Sequence, residues 1–199
     1  KVSLDDDRVR DPAAFDRLMS EGTATMGRIP GVQSAAAGLS LPYERALNNM
    51  MTINSGPLAG QKVVSGEVYV TPGYFETLQI PLLAGRTFTA SDRRDTHPVV
   101  VVNRAFVRKF YGGVNPIGES LDKQGTTIVG VVEDVTLPPH TNNVNDPLGN
   151  EPTAYIPSSQ ANPKFLSVVH VWFQPSWIVR TNGPIEGLTG RMQRALASV

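Results

Sequence analysis

Three histidines, His97, His140 and His170, are the first residues to weigh for chemistry, because imidazole can act as a general base or a metal ligand at neutral pH. None has a second ligand-type residue at the helical or hairpin spacing that builds a metal site, so surface or packing roles are expected for all three. His97 precedes Pro98 at a strand entrance, His140 follows a Pro-Pro pair in a loose stretch, and His170 sits in an alternating strand pattern. The absence of cysteine removes thiolate metal sites, Cys nucleophiles and disulfide frameworks together. The run Asp5, Asp6, Asp7 lacks the spaced acidic positions, central Gly and final Glu of a calcium loop, and reads as an acidic turn ahead of a helix. Asp92 and Asp95 flank Arg93 and Arg94, a surface turn that neutralises itself. There is no Gly-rich phosphate loop ending in Lys-Ser or Lys-Thr and no Gly-x-Ser-x-Gly elbow, and no pattern of Ser, His and Asp singles out a triad. The expectation is a protein that is not an enzyme, with no catalytic residue, no cofactor and no metal.

Binding surfaces are equally sparse. Trp172, Phe173 and Trp177 form the one dense aromatic cluster, and alternation puts Trp172 on the face opposite Phe173. Trp172 and Trp177 are therefore the candidate partner surface, against the competing use of both rings as packing for the C-terminal helix. Arg104, Arg108 and Lys109 fall on one helix as a solvated face. Eighteen Lys plus Arg balance eighteen Asp plus Glu, so no net field favours nucleic acid or an anionic bilayer.

The elements that must position these residues mix strands and helices without strict alternation, which gives an α+β class. An alternating stretch at 2–4 suggests a short strand. Asp11 suits an N-cap and Pro12 a first helical position; Phe15, Leu18, Met19 and Met26 then line one face, with Gly22 and Gly27 as weak points. Pro30-Gly31 ends that helix, and strands are expected at 32–41, 50–53 and 63–70, with a short helix at 74–78. A β-branched strand at 99–102 leads into a helix capped by Asn103, and a further strand at 126–132 carries Gly130 as a bulge or close-approach point. Gly85 suits a positive-φ turn beside an Arg86–Asp92 pair, and Asp134 a turn at the end of a strand. Residues 137–152, rich in Pro and Asn, read as a mobile loop; order returns with strands at 168–173 and 177–181. A final helix carries Ile185, Leu188, Met192, Leu196 and Val199 at helical spacing. The apolar faces of the first and last helices are each too small to fold alone, so they are expected to share one core.

Apolar runs are far shorter than the roughly 20 residues that span a bilayer, and Lys1 opens the chain without a signal-peptide core, as expected of a piece of something longer.

Several motifs occur in a fixed order. They are Tyr69-Val70-Thr71-Pro72-Gly73-Tyr74-Phe75-Glu76-Thr77-Leu78, Ile80-Pro81-Leu82-Leu83-Ala84-Gly85-Arg86-Thr87-Phe88 leading to Asp92, and Val99-Val100-Val101-Val102-Asn103-Arg104-Ala105-Phe106. Asn115-Pro116-Ile117-Gly118, Ile128-Val129-Gly130-Val131-Val132-Glu133-Asp134 and Tyr155-Ile156-Pro157 follow, with Ile29-Pro30-Gly31-Val32 and Leu41-Pro42 upstream. Together they resemble the MacB-type periplasmic core domain of ABC transporter permeases, especially orphan permeases encoded without their own ATPase. The resemblance implies two small subdomains, a porter-like one from residues 1–61 plus 161–199 and an inserted, smaller α/β (Sabre-like) one from 62–160; the order of the elements itself fits two small sheets, each with helices on one face. The resemblance also implies a non-catalytic role on the periplasmic side of the bacterial inner membrane, as part of an integral membrane protein, in transport or efflux by mechanotransmission. The partners implied are the transmembrane helices of the same parent chain, a second permease copy and a separate ATPase subunit, and no nucleic acid. The alternative is a periplasmic module that binds or senses a small molecule or peptide between its subdomains.

Overall fold

The computed structural model describes residues 11–42, 44, 46–135, 151–164, 166 and 173–199. The expected strand at 2–4, the Asp5–Asp7 run, His140, His170 and Trp172 lie outside them. So does all of the expected 137–152 loop except Glu151 and Pro152, and all of the 168–173 strand except Phe173, which is half-buried and outside any strand.

Helix α1 (Pro12–Gly27) starts as its sequence dictates: the Asp11 carboxylate accepts from the Ala14 N–H at 2.8 Å, and Pro12 occupies a position whose N–H would have had no helical partner. It runs into strand β1 (Val32–Gly38). Strands β2 (Leu47–Thr52) and β3 (Lys62–Val70) form an antiparallel hairpin, and helix α2 (Tyr74–Leu78) leads to the short strand β4 (Leu82–Gly85). Strand β5 (Val99–Asn103), helix α3 (Arg104–Tyr111), strand β6 (Thr127–Val132), strand β7 (Thr153–Pro157), strand β8 (Ser176–Thr181) and helix α4 (Leu188–Leu196) follow, with a 3-10 turn (Ser158–Gln160) after β7.

All eight strands among the described residues belong to one mixed sheet in the order β4-β6-β5-β7-β3-β1-β8, with β2 on β3. The two separate small sheets expected from the sequence are thus one. The reason lies in β3, whose first part pairs with β2 (Thr52↔Lys62 to Leu47↔Glu67) and whose last residue pairs with β1 (Gly38↔Val70). Because Gly66, Glu67 and Val70 also pair in parallel with β7, β1 and β2 occupy the same side of β3, one after the other. A boundary at residue 61 separates two strands that pair residue for residue. The join between β1 and β3 is reinforced by Thr71, whose Oγ1 accepts from the Ala37 N–H at 2.8 Å while its own N–H donates to the Ala37 carbonyl at 2.9 Å.

Three apolar clusters sit on the two faces of this sheet. On one face, α1 and α4 share a core with β1, β8 and Tyr69: Phe15, Met19 and Met26 are fully buried, with Leu188, Met192 and Leu196 packed against them. The first and last helices therefore meet, as their apolar faces require. On the same face, α3 packs Phe106, Phe110 and Tyr111 over Val100, Val102 and Ile128 of β5 and β6, and Ile156 touches both cores. The opposite face carries one longer cluster under α2, from Ala36 and Ile178 through Val68, Val70 and Tyr155 to Val99, Val101 and Val132.

Two glycines make the β4–β6 pairing possible. Gly85 and Gly130 face one another in register, and a Cβ on Gly130 would stand 2.2 Å from the Arg86 carbonyl oxygen, one on Gly85 2.1 Å from that of Val129. The bulge expected at Gly130 is present: Val100 pairs with Ile128 but Val101 with Gly130, leaving Val129 extra. The extra residue also reverses the phase of the strand, so that Ile128 and Val131, three apart, point into the same core.

Candidate functional site

The motif residues that invite chemical readings are used for shape. His97 Nε2 lies 2.8 Å from Thr127 Oγ1 at an exposed position, and among the described residues no group of three or more His, Asp or Glu side chains is placed to hold a metal ion. Asp92 and Asp95 part company. Arg93 pairs with Asp95 at 3.2 Å in solvent, whereas Asp92 is buried and takes the Arg86 guanidinium in a two-point clasp, Nη1 and Nη2 each 2.8 Å from a carboxylate oxygen. Burial alone would push the Asp92 carboxyl up, but the Arg86 hydrogen bonds, the Thr89 N–H at 2.8 Å and the Arg86 charge outweigh it and hold it below the usual carboxylate range. The pair seen in the sequence is there, and only Asp95 belongs to a surface turn.

The junction of β5 with α3 has the same character. Asn103 Oδ1 accepts from the N–H groups of Phe106 and Thr153, both at 2.9 Å, while its Nδ2 donates to the Glu151 carbonyl. Asp134 takes the Ala105 N–H at 2.7 Å and Arg108 at 2.9 Å. Both side chains cap the helix, and Asn103 also ties it to β7.

Trp177, one half of the expected partner surface, is 7% exposed in the α1–β8 core. Its indole lies so close over Gly22 that a Cβ there would fall 2.5 Å from Nε1, so Gly22 is not a weak point of α1 but the residue that lets the ring in. Packing accounts for this Trp, and the surface expectation for it is withdrawn.

The concave feature that sequence reasoning missed lies between the α1/α4 core and the α3 core, on the face they share. A cavity of about 240 Å³ opens there, bordered by β2, β3, β5 and β7, the 121–126 turn and residues 160–162. Glu67 lines it and is only 6% exposed. Its Oε1 accepts from the Tyr69 hydroxyl at 2.8 Å and its Oε2 from the Asn49 amide. Burial pushes the Glu67 carboxyl up, these two hydrogen bonds pull it back, and the neighbouring Asp122 charge adds to the rise, leaving it above the usual range. Tyr69 is held neutral by burial and by the Glu67 charge. The sequence signal was faint: Glu67 shares the 65, 67, 69 parity of β3, which reads as a solvent face until the rest of the sheet covers it.

None of the described helices is long and apolar enough to cross a membrane. No curated protein matches the sequence. The fold is similar to the crystal structure of the periplasmic region of MacB from Actinobacillus actinomycetemcomitans, with a TM-score of 0.58 and 16% identity over 90% of this chain and 71% of that one. It is also similar to the extracellular domain of the noncanonic ABC-type transporter YknZ from Gram-positive bacteria, with a TM-score of 0.54 and 15% identity over 90% of this chain and 82% of that one. The family model described as MacB-like periplasmic core domain matches residues 5–185, and the chain therefore belongs to that family.

Proposed function

We propose that this chain is the extracytoplasmic core domain of a MacB-like ABC transporter permease. It performs no bond chemistry and transmits movement between the membrane helices of its parent chain and events on the periplasmic side of the bacterial inner membrane. The observation that carries this reading is the shared core of α1 and α4 on β1 and β8. A domain inserted between two membrane helices receives force through both chain ends, and here the helices nearest those ends form one body joined to the remaining strands through β3. The ATPase is a separate subunit, and a second copy of the permease supplies the surface against which this body moves.

The test uses the full-length permease reconstituted with its ATPase. The chain has no cysteine, so single spin labels at Arg191→Cys on α4 and Lys109→Cys on α3 report distances between copies without background from this domain. Those distances change between nucleotide-free and ATP-trapped states under the coupling reading. Unchanged distances between copies would refute it. The alternative, capture of a small molecule, gains support from the cavity beside Glu67.

A further inference from the structure

The cavity beside Glu67 has a chemical bias that its family membership does not explain. Its lining among the described residues contains two carboxylates, Glu67 and Asp122, and the amides of Asn49, Gln124, Gln160 and Asn162, but no Lys or Arg. The two acids differ in what they have left to offer. Asp122 is engaged by its own turn, its carboxylate accepting from the N–H groups of Gln124 and Thr126 and from the Thr126 hydroxyl. Glu67 accepts one hydrogen bond at each oxygen, both from neutral donors, and a carboxylate has roughly four acceptor positions. Among the described residues no cation pairs with it. An ionised carboxylate this deeply buried without a countercharge is costly, so the site favours whatever brings a positive charge to it. At about 240 Å³ the cavity has room for on the order of eight waters, or one small organic molecule of the same bulk. Met51, Val100, Leu121, Ala154 and Ile156 supply an apolar wall for a short hydrocarbon stem.

We propose that this cavity binds a small aliphatic primary amine, its ammonium group taking Glu67 as counter-ion and its stem lying against the Met51–Ile156 wall. An ammonium has three N–H donors and no acceptor; Gln160 and Asn162 already accept from the N–H groups of Val99 and Lys164, so the Glu67 oxygens and the Asn49 carbonyl are the acceptors it would meet. A neutral alcohol of the same length would gain the wall but not the charge, and an anion would meet two carboxylates.

The experiment titrates the domain with n-butylamine and with 1,4-diaminobutane, using 1-butanol as the neutral comparison, followed by calorimetry and by amide shifts of Asn49, Tyr69 and Asn162. At pH 8 both amines bind the wild type and shift these three signals, and Glu67→Gln weakens them at least tenfold. The alcohol binds both proteins equally weakly. If Glu67→Gln does not fold, the wild type alone decides: amine affinity must fall as the pH is lowered and Glu67 takes up a proton. Tyr69 and Asp122 are the other titratable groups facing Glu67. Equal binding of amine and alcohol, a pH-independent affinity, or no binding by folded wild type at 10 mM amine would each overturn the proposal. Amine binding and transmission of movement are separable, so failure here leaves the spin-label test untouched.

Discussion

Gly130 and Gly27 are both replaced by alanine in the most discriminating test of this fold, and the same added methyl must act with opposite signs. At Gly130 the new Cβ would stand 2.2 Å from the Arg86 carbonyl oxygen and 3.1 Å from Val101 Cγ2. The obstacle is backbone, so no rotamer relieves it and β4 must move off β6 by more than ~1 Å to reach normal contact distance. That movement strains the packing by about 1–3 kcal/mol and breaks the Arg86 N–H to Val129 carbonyl bond, seen at 2.9 Å and contributing about 0.5–1.5 kcal/mol. Reduced freedom of the unfolded chain returns about 0.4–1 kcal/mol, leaving a loss of about 1–4 kcal/mol. For a chain of this length each kcal/mol moves Tm by roughly 2–4 °C, so Gly130→Ala lowers Tm by roughly 2–16 °C. At Gly27, the last residue of α1, a Cβ meets nothing within 4 Å. There the substitution gains up to about 1 kcal/mol from helix propensity and chain entropy. Thermal and urea denaturation followed by circular dichroism measure both. A Gly130→Ala variant as stable as wild type, or two variants shifting in the same direction, would show that the β4–β6 crossing is not as close as described.

Trp177→Ala removes a nearly buried indole from the α1–β8 core and costs about 3–5 kcal/mol in urea denaturation; a loss below about 1 kcal/mol would place the ring outside that core. Asp92→Ala strands the Thr89 N–H, but Arg86 is 45% exposed and regains water, so the loss is held to about 1–2 kcal/mol, with faster proteolysis confined to residues 86–96. For Glu67 the sign of the pH dependence is inverted relative to an ordinary ion-paired acid. Its folded carboxyl is raised above 4.5, the native state holds the proton more tightly than the unfolded chain, and stability falls as pH rises through the window that starts there. Gln cannot titrate, so urea midpoints of Glu67→Gln measured from pH 4 upward lack that fall, and identical pH profiles for the two proteins would refute the burial of this carboxylate.

What the sequence made legible was local. Asp11 and Asn103 cap the helices assigned to them, helix 74–78 has the bounds expected, and Arg86 meets Asp92, because each of these depends on residues within a few positions of one another. Gly130 was readable as a bulge from its type and place in a β-branched run, though not its partner: nothing in the sequence shows that β4, 45 residues upstream, crosses there (Gly85↔Gly130). Asp134 was expected to serve its own turn and instead caps a helix that begins 30 residues earlier, at Arg104. The single sheet was hidden for the same reason. Its continuity hangs on one register pair, Gly38↔Val70, and on β7, whose five residues follow a stretch with the composition of a loop. Buried Glu67 was invisible because burial depended on those long-range pairings and not on its neighbours in sequence.

The distribution of the cores bears on how such a domain would carry movement. Beneath α2 the apolar cluster is unbroken from β8 and β1 to β5 and β6, and α2 is pinned across it by Arg180, whose Nε donates to the Thr77 carbonyl at 2.9 Å. Phe75 adds a T-shaped contact with Tyr155 at 5.0 Å between ring centroids. Close-packed interiors resist compression, so this face cannot shorten. On the opposite face the α1/α4 core and the α3 core share, among the described residues, Ile156 alone, and beside that contact lies the Glu67 cavity. A sheet stiff on one face and hollow on the other bends only toward the hollow. In the coupling role proposed for the domain, displacement of α1 and α4 therefore passes through β3 as a rigid-body motion when the cavity is filled, and is partly absorbed by it when it is not. An occupant of the cavity would stiffen the link without touching either the membrane helices or the ATPase, which is the physical route by which a small ligand would act on the proposed coupling.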